Sequence, residues 1–122
     1  MRQEIFEDHA VVHFSGETVE EWDRSLRGLA IGYGKDRKIV RLVFTNPRRR
    51  AGTDQVQIIE RYDPEADALD VELDEDAWDY TEESAEGFLI DFDSEHRIVA
   101  LEFLGASKLF PQTAIERHIH AA

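Results

Sequence analysis

The chain has no cysteine, three prolines, and only 14 Lys and Arg against 27 Asp and Glu in 122 residues. Without cysteine there is no disulfide framework, thiolate metal site or thiol nucleophile. That fits a reducing compartment, and a cytoplasmic location is expected. No apolar run approaches the roughly 18 residues that cross a bilayer, so no membrane partner is expected. The first nine residues carry Glu4, Glu7 and Asp8 and lack the apolar stretch of a signal peptide. No serine stands in a Gly-x-Ser-x-Gly elbow, and there is no Walker loop or dinucleotide fingerprint. Gly32-x-Gly34 sits in a strand pattern with no helix behind it. These gaps point away from nucleophilic catalysis, and a non-enzymatic protein without a cofactor is expected.

What is present is core material and negative charge. Hydrophobic residues make up 42% of the chain, including 12 aromatics. A single domain of this length buries roughly two-thirds of its unfolded surface. The net charge of -13 is unevenly spread. Residues 1–55 hold 10 basic and 9 acidic residues, a net of +1, whereas residues 56–122 hold 4 and 18, a net of -14. From Asp63 to Glu86 there are 12 acidic residues and no Lys or Arg. Such a half repels a phosphate backbone and attracts a basic protein surface, so no nucleic-acid partner is expected.

The chain also repeats itself. Shifted by 59 residues, Ser25–Phe44 aligns without a gap on Ser84–Phe103, with seven identities: Ser25/Ser84, Gly28/Gly87, Ile31/Ile90, Ile39/Ile98, Val40/Val99, Leu42/Leu101 and Phe44/Phe103. Unrelated sequences of ordinary composition would share about one. Each copy reads as a β-meander, because apolar residues alternate with period two. Copy one shows Val12, Phe14, then Leu29, Ile31, Tyr33, then Val40, Leu42, Phe44. Copy two shows Leu69, Val71, Leu73, then Phe88, Ile90, Phe92, then Val99, Leu101, Phe103. Gly34–Lys38 and Asp93–Arg97 read as hairpin loops. Val56, Ile58 and Tyr62 suggest a further strand before the turn at Asp63-Pro64.

The expected fold is therefore mainly β, with two antiparallel meanders packed as a sandwich or curved sheet in one domain. Repeat one spans residues 5–47, a linker and extra strand 48–61, repeat two 62–108, and a short C-terminal helix or tail 109–122. The alternative is α+β, since Thr18-Val-Glu-Glu21 resembles a capping box and Val19, Trp22 and Leu26 have helical spacing. The matching Trp78–Glu82 stretch alternates like a strand, which favours the extended form.

Copy two resembles a bacterial family of short proteins, domain of unknown function 2283. The resemblance rests on Tyr62-Asp63-Pro64-Glu65-Ala66-Asp67-Ala68-Leu69, Gly87, Ile90-Asp91-Phe92-Asp93 and Arg97 through Lys108, with its Ala106-Ser107-Lys108 ending. It covers about residues 62–108, and copy one looks like a decayed version at about 5–47. The family usually has glycine in the last hairpin, where His96 and, in copy one, Arg37 stand here. Copy one also has Gly32 and Gly34 in place of Asp91 and Asp93. The resemblance implies no established activity and no functional residues. A compact acidic protein of this kind is similar in general character to antitoxins that neutralise a basic toxin.

Several clusters are candidate sites. If Leu69, Val71 and Leu73 face inward, then Asp70, Glu72 and Asp74 face outward, joined by Asp91, Asp93 and Glu102. Neighbouring carboxylates would bind a basic partner or, in a cation-dependent hydrolase, a hard cation. The bland reading is a solvated face. In copy one the same face carries Val11, His13, Ala30, Ile39, Arg41 and Val43, an apolar and basic surface expected to take the C-terminal helix, with Ile115 and Ile119 inward, or a second copy in a homodimer. Asp63, Glu65 and Asp67 begin like a calcium loop, but Ala68 and Asp74 stand where Gly and Glu are needed, so a turn is expected. His118 and His120 read as a helix end rather than a metal pair with His9 or His13. Arg48-Arg49-Arg50 is expected to lie against the acidic half.

Overall fold

The computed structural model describes residues 3–121, and side chains as far as residue 117. Ten strands and two short helices follow one another: β1 (Gln3–Ile5), β2 (His9–His13), β3 (Glu21–Leu26), β4 (Leu29–Tyr33), β5 (Ile39–Thr45), β6 (Ile59–Asp63), β7 (Ala68–Glu72), β8 (Tyr80–Glu83), β9 (Leu89–Phe92), β10 (Ile98–Leu104), α1 (Ala106–Leu109) and α2 (Gln112–Ala121). A single 3₁₀ turn, Glu75–Ala77, lies between β7 and β8. The protein is mainly β, as the alternation predicts.

The strands form two five-stranded antiparallel sheets with the same order, β1-β2-β5-β4-β3 and β6-β7-β10-β9-β8. The 59-residue shift carries β2, β3, β4 and β5 onto β7, β8, β9 and β10. Val11 faces Val43 where Asp70 faces Glu102, and Ala30 faces Val43 where Leu89 faces Glu102. One irregularity repeats, although the slip between Asp23 and Leu26 against β4 has no counterpart between β8 and β9. The pairing slips between Arg41 and Ile39 against β4, and between Ala100 and Ile98 against β9. Positive φ recurs at Gly28 and Gly87, at Arg37 and His96, and at Asn46 and Gly105. The two hairpins close without glycine at the positive-φ position, by the Gly34 amide to the Lys38 carbonyl at 2.9 Å and the Asp93 amide to the Arg97 carbonyl at 2.9 Å, with Arg37 and His96 at φ of 59° and 66°. The first strands differ: β1 lies three residues before β2, and β6 four before β7.

Two compact units result, Met1–Asn46 with Ala106–Ala122, and Pro47–Gly105. In the first, Phe14, Ile31 and Leu42 are buried; in the second, Val71, Ile90 and Leu101 are. The rings of Phe14 and Phe110 meet at 4.6 Å. Lys38 Nζ donates to the Lys108 carbonyl at the end of α1.

The α+β alternative is overturned, because residues 21–26 are strand β3. Helical spacing of Val19, Trp22 and Leu26 loses to pairing with β4, where the Trp22 ring lies across Gly32. The expected extra strand is displaced: Val56 and Ile58 are buried ahead of β6 rather than within it. A terminal helix follows Pro111 as expected, while α1 has no counterpart in the sequence reading.

Candidate functional site

Alternation along the central strands builds the candidate site on one face of the second sheet. Asp70 on β7 faces Glu102 on β10, which faces Leu89 on β9 and so Glu83 on β8. The next row runs Ile59, Glu72, Ala100, Asp91, Thr81. Five carboxylates, Asp70, Glu72, Glu83, Asp91 and Glu102, thus share these two rows on four strands. Arg61 on β6 lies beside Asp70, and its Nη1 donates to Glu72 Oε2 at 2.9 Å. Arg50 Nη2 lies 3.8 Å from Glu72 Oε1. Asp70 is exposed, and Asp91 and Glu102 are half-buried.

The electrostatics follow from this crowding. Desolvation in the sheet surface, then the charges of Glu102, Glu72 and Asp91, push the Asp70 carboxyl above the usual range, against the pull of Arg61. Glu75, on the 3₁₀ turn, is raised by desolvation and by Glu72, Asp70 and Asp91, which places it in the same negative field. Trp78 projects at 55% exposure and donates Nε1–H to Thr81 Oγ1 at 2.8 Å, while the Thr81 hydroxyl donates to Asp91.

Two of the six expected carboxylates do not belong here. Asp74 and Asp93 are each 2% exposed. Asp74 lies beyond the end of β7, where the amides of both Leu73 and Asp74 bond the Val99 carbonyl and simple alternation stops. Asp93 lies in the β9–β10 turn and accepts the amides of Glu95 and Arg97. Arg48 bridges the pair, from Nε to Asp74 Oδ2 at 2.9 Å and from Nη1 to Asp93 Oδ2 at 2.8 Å. The basic linker does lie against the acidic half, but at buried carboxylates. Glu72, 9% exposed, is held by Arg61 and is only marginally available.

The corresponding face of the first sheet carries Val11, Val43 and Ala30 in one row and His13, Arg41, Gly32 and Trp22 in the next. Val11, Arg41 and Val43 are half-buried as a face, but Ala30 and Ile39 are buried. Ile39 leaves the row because the pairing slip before it shifts its parity. The C-terminal segment touches Phe14, whose parity is that of the opposite face, so helix docking on Val11 and Val43 is not what the Phe110 contact supplies. Here His13 joins Glu4 Oε1 at 2.6 Å through Nε2 and accepts from Arg41 Nε at 3.1 Å through Nδ1. The side chains of His118, Ile119 and His120 lie outside the described residues. Among the described residues no group of three or more His, Cys, Asp or Glu has the arrangement of a metal site. Asp63 caps its turn by accepting the Glu65 and Ala66 amides, as the turn reading requires.

Glu75, Arg61, Leu89, Trp78 and Thr81 were not singled out from the sequence. The signal for Leu89 and Thr81 was available, since both share parity with Asp91 and Glu83; Trp78 and Glu75 precede the strand, where parity gives no guidance.

Fold and face together define a mainly antiparallel β protein of two sheets with the same strand order, one of which carries a carboxylate surface. Residues 61–107, most of the second sheet with its connection into α1, match the family described as Protein of unknown function (DUF2283). No curated protein and no solved structure matches the chain. No helix is long and apolar enough to cross a membrane among the described residues.

Proposed function

We propose that this protein is an interaction module that presents the acidic face of its second sheet to a basic partner protein. The observation that carries the reading is the contrast between two sheets of one design. Asp70, Asp91 and Glu102 stand where the first sheet has Val11, Gly32 and Val43. The register is retained, so the scaffold did not require carboxylates at these positions. Their crowding works against the sheet itself, because Asp70 ionises against its neighbours. Residues kept at the expense of stability are the kind that function selects. Exposed Trp78 beside the carboxylates supplies the aromatic element that protein interfaces favour.

The test is co-purification from the native host at low salt, comparing the wild type with an Asp70→Asn/Asp91→Asn/Glu102→Gln variant. A basic protein retained by the wild type, eluted by salt and lost from the variant supports the reading. A wild-type protein that emerges alone, or a variant that retains the same partner, removes it.

A further inference from the structure

A sheet edge binds another chain by lending it unpaired backbone groups. β8 is such an edge: among the described residues it pairs with β9 alone. The Ser84 amide donates to the Phe88 carbonyl at 2.8 Å, in register with Glu82↔Ile90 and Tyr80↔Phe92. Antiparallel residues alternate in direction, so Tyr80, Glu82 and Ser84 turn their backbone groups toward β9. Thr81 and Glu83 turn theirs to the open side. Residues 81–83 are exposed.

The duplication provides a comparison inside the chain. β3 is the equivalent edge of the first sheet. Arg24 stands there where the second edge has Glu83, and in the turn that follows Arg27 stands where the second has Glu86. In the first edge the charges answer one another: Arg37 Nη1 binds Glu21 Oε2 at 3.0 Å, and Arg24 lies 5.1 Å over the Trp22 ring. In the second, Asp79, Glu82, Glu83 and Glu86 form no ion pair with any described residue. The two edges pair alike over Glu21–Asp23 and Tyr80–Glu82, but β3 breaks register between Asp23 and Leu26, whereas β8 runs regularly through Glu83↔Leu89, so the acidic edge is also the more regular one.

We propose that β8 is a docking edge for an extended, Lys/Arg-rich segment of a partner protein, which adds to the second sheet as a sixth strand. This rests on the acidic-face reading and names how the partner is held. The incoming backbone bonds the free groups of Thr81 and Glu83. Alternate side chains of the new strand fall on the acidic face, continuing the rows that end at those two residues. A second copy of this chain is excluded as the occupant through the same edge, because β8 against β8 sets Glu82 and Glu83 opposite their own kind.

The experiment is residue-resolved amide exchange with a ten-residue peptide of alternating lysine and valine, and a glutamate–valine peptide as control. The Lys–Val peptide is expected to slow exchange at Thr81 and Glu83 by tenfold or more and to leave Trp22, the edge position equivalent to Thr81, unchanged. Glu83→Pro deletes an open-side donor without touching the β8–β9 ladder, and edge strands tolerate proline facing solvent. It should weaken peptide binding at least tenfold, while Glu83→Gln, which keeps the donor, weakens it less. Unchanged exchange at Thr81 and Glu83 overturns the proposal, whether or not the proline variant folds. So does a Glu83→Pro protein with intact β9–β10 protection that binds as the wild type does. A host protein retained through charge yet indifferent to Glu83→Pro would remove the edge and leave the acidic face standing; no retained host protein would remove the face.

Discussion

Arg48 is the side chain on which the second unit's buried charge depends. Asp74 and Asp93 cannot reach water, and each gives one oxygen to the same guanidinium. A planar fork can serve two carboxylates at once, which an ammonium does with poorer geometry. Removing one partner from a buried ionic group leaves the others uncompensated, typically at about 3–5 kcal/mol. Arg48→Ala is therefore expected to destabilise by about 3 kcal/mol in urea unfolding, with Arg48→Lys intermediate. A loss below 1 kcal/mol would mean the two carboxylates find other partners. The pH dependence has two opposing parts. Burial alone would raise Asp93, but the Arg97 and Glu95 amides and the Arg48 guanidinium outweigh it and hold its carboxyl below the usual range. Its stabilisation is thus complete above the unfolded value near 4 and is lost as pH falls through the native one. Asp70 is displaced upward, so the native state binds its proton first, and ionisation destabilises as pH rises through that raised value. Asp70→Asn is accordingly expected to raise the Tm at neutral pH, by less than about 1 kcal/mol of stability since the group is exposed and screened. The gain should shrink with added salt and vanish near pH 4. A variant that is less stable than the wild type at pH 7 would contradict the direction.

At the scale of elements, what was legible is what alternation encodes. The central strands of both sheets, their inward residues and the two hairpins follow from period two and from the 59-residue shift. β3 was ambiguous because its evidence is not local. Trp22 and Leu26 fit a helix, and only the partner strand shows why they are extended: Gly32 leaves room for the Trp22 ring and the Val19 methyl. This also explains why the first sheet has glycine where the second has Asp91, whose partner is Thr81 rather than a tryptophan. A Cβ built on Gly32 would lie 2.9 Å from Val19 Cγ2 and 3.2 Å from the Trp22 ring. Gly32→Ala is expected to cost about 1–3 kcal/mol through overpacking, and Trp22→Thr in the same chain to recover part of it. Chemical denaturation of the two variants measures both numbers. Asp74 and Asp93 were misplaced for the complementary reason. Alternation holds inside a strand, and both residues lie just beyond one, where a turn or a doubled hydrogen bond sets the direction of the side chain.

For the whole molecule, the sequence shows two copies, but not that chain order and spatial grouping differ. The segment after β10 belongs to the unit built on the first sheet, and the segment after β5 belongs to the unit built on the second. Pro111 splits the apolar residues of 106–117, so no continuous stripe announces this, and Phe110 lies between the two helices. It is nonetheless fully buried, as is Ala106, with Ala114 almost so, and its ring contacts Phe14. Phe110→Ala should therefore act at a distance in sequence from where it is made. Truncating a buried phenylalanine typically costs about 3–5 kcal/mol. The cost is expected to fall on the unit that contains Phe14, so amide exchange should accelerate at Val12, Ile31 and Leu42. Val71, Ile90 and Leu101, in the other unit, should keep more of their protection even though their strands immediately precede the mutated segment. Local opening free energies differ between cooperative units, and this measurement separates them. Equal acceleration across both sheets would show the two copies unfolding as one, and acceleration confined to the second sheet would contradict the grouping itself.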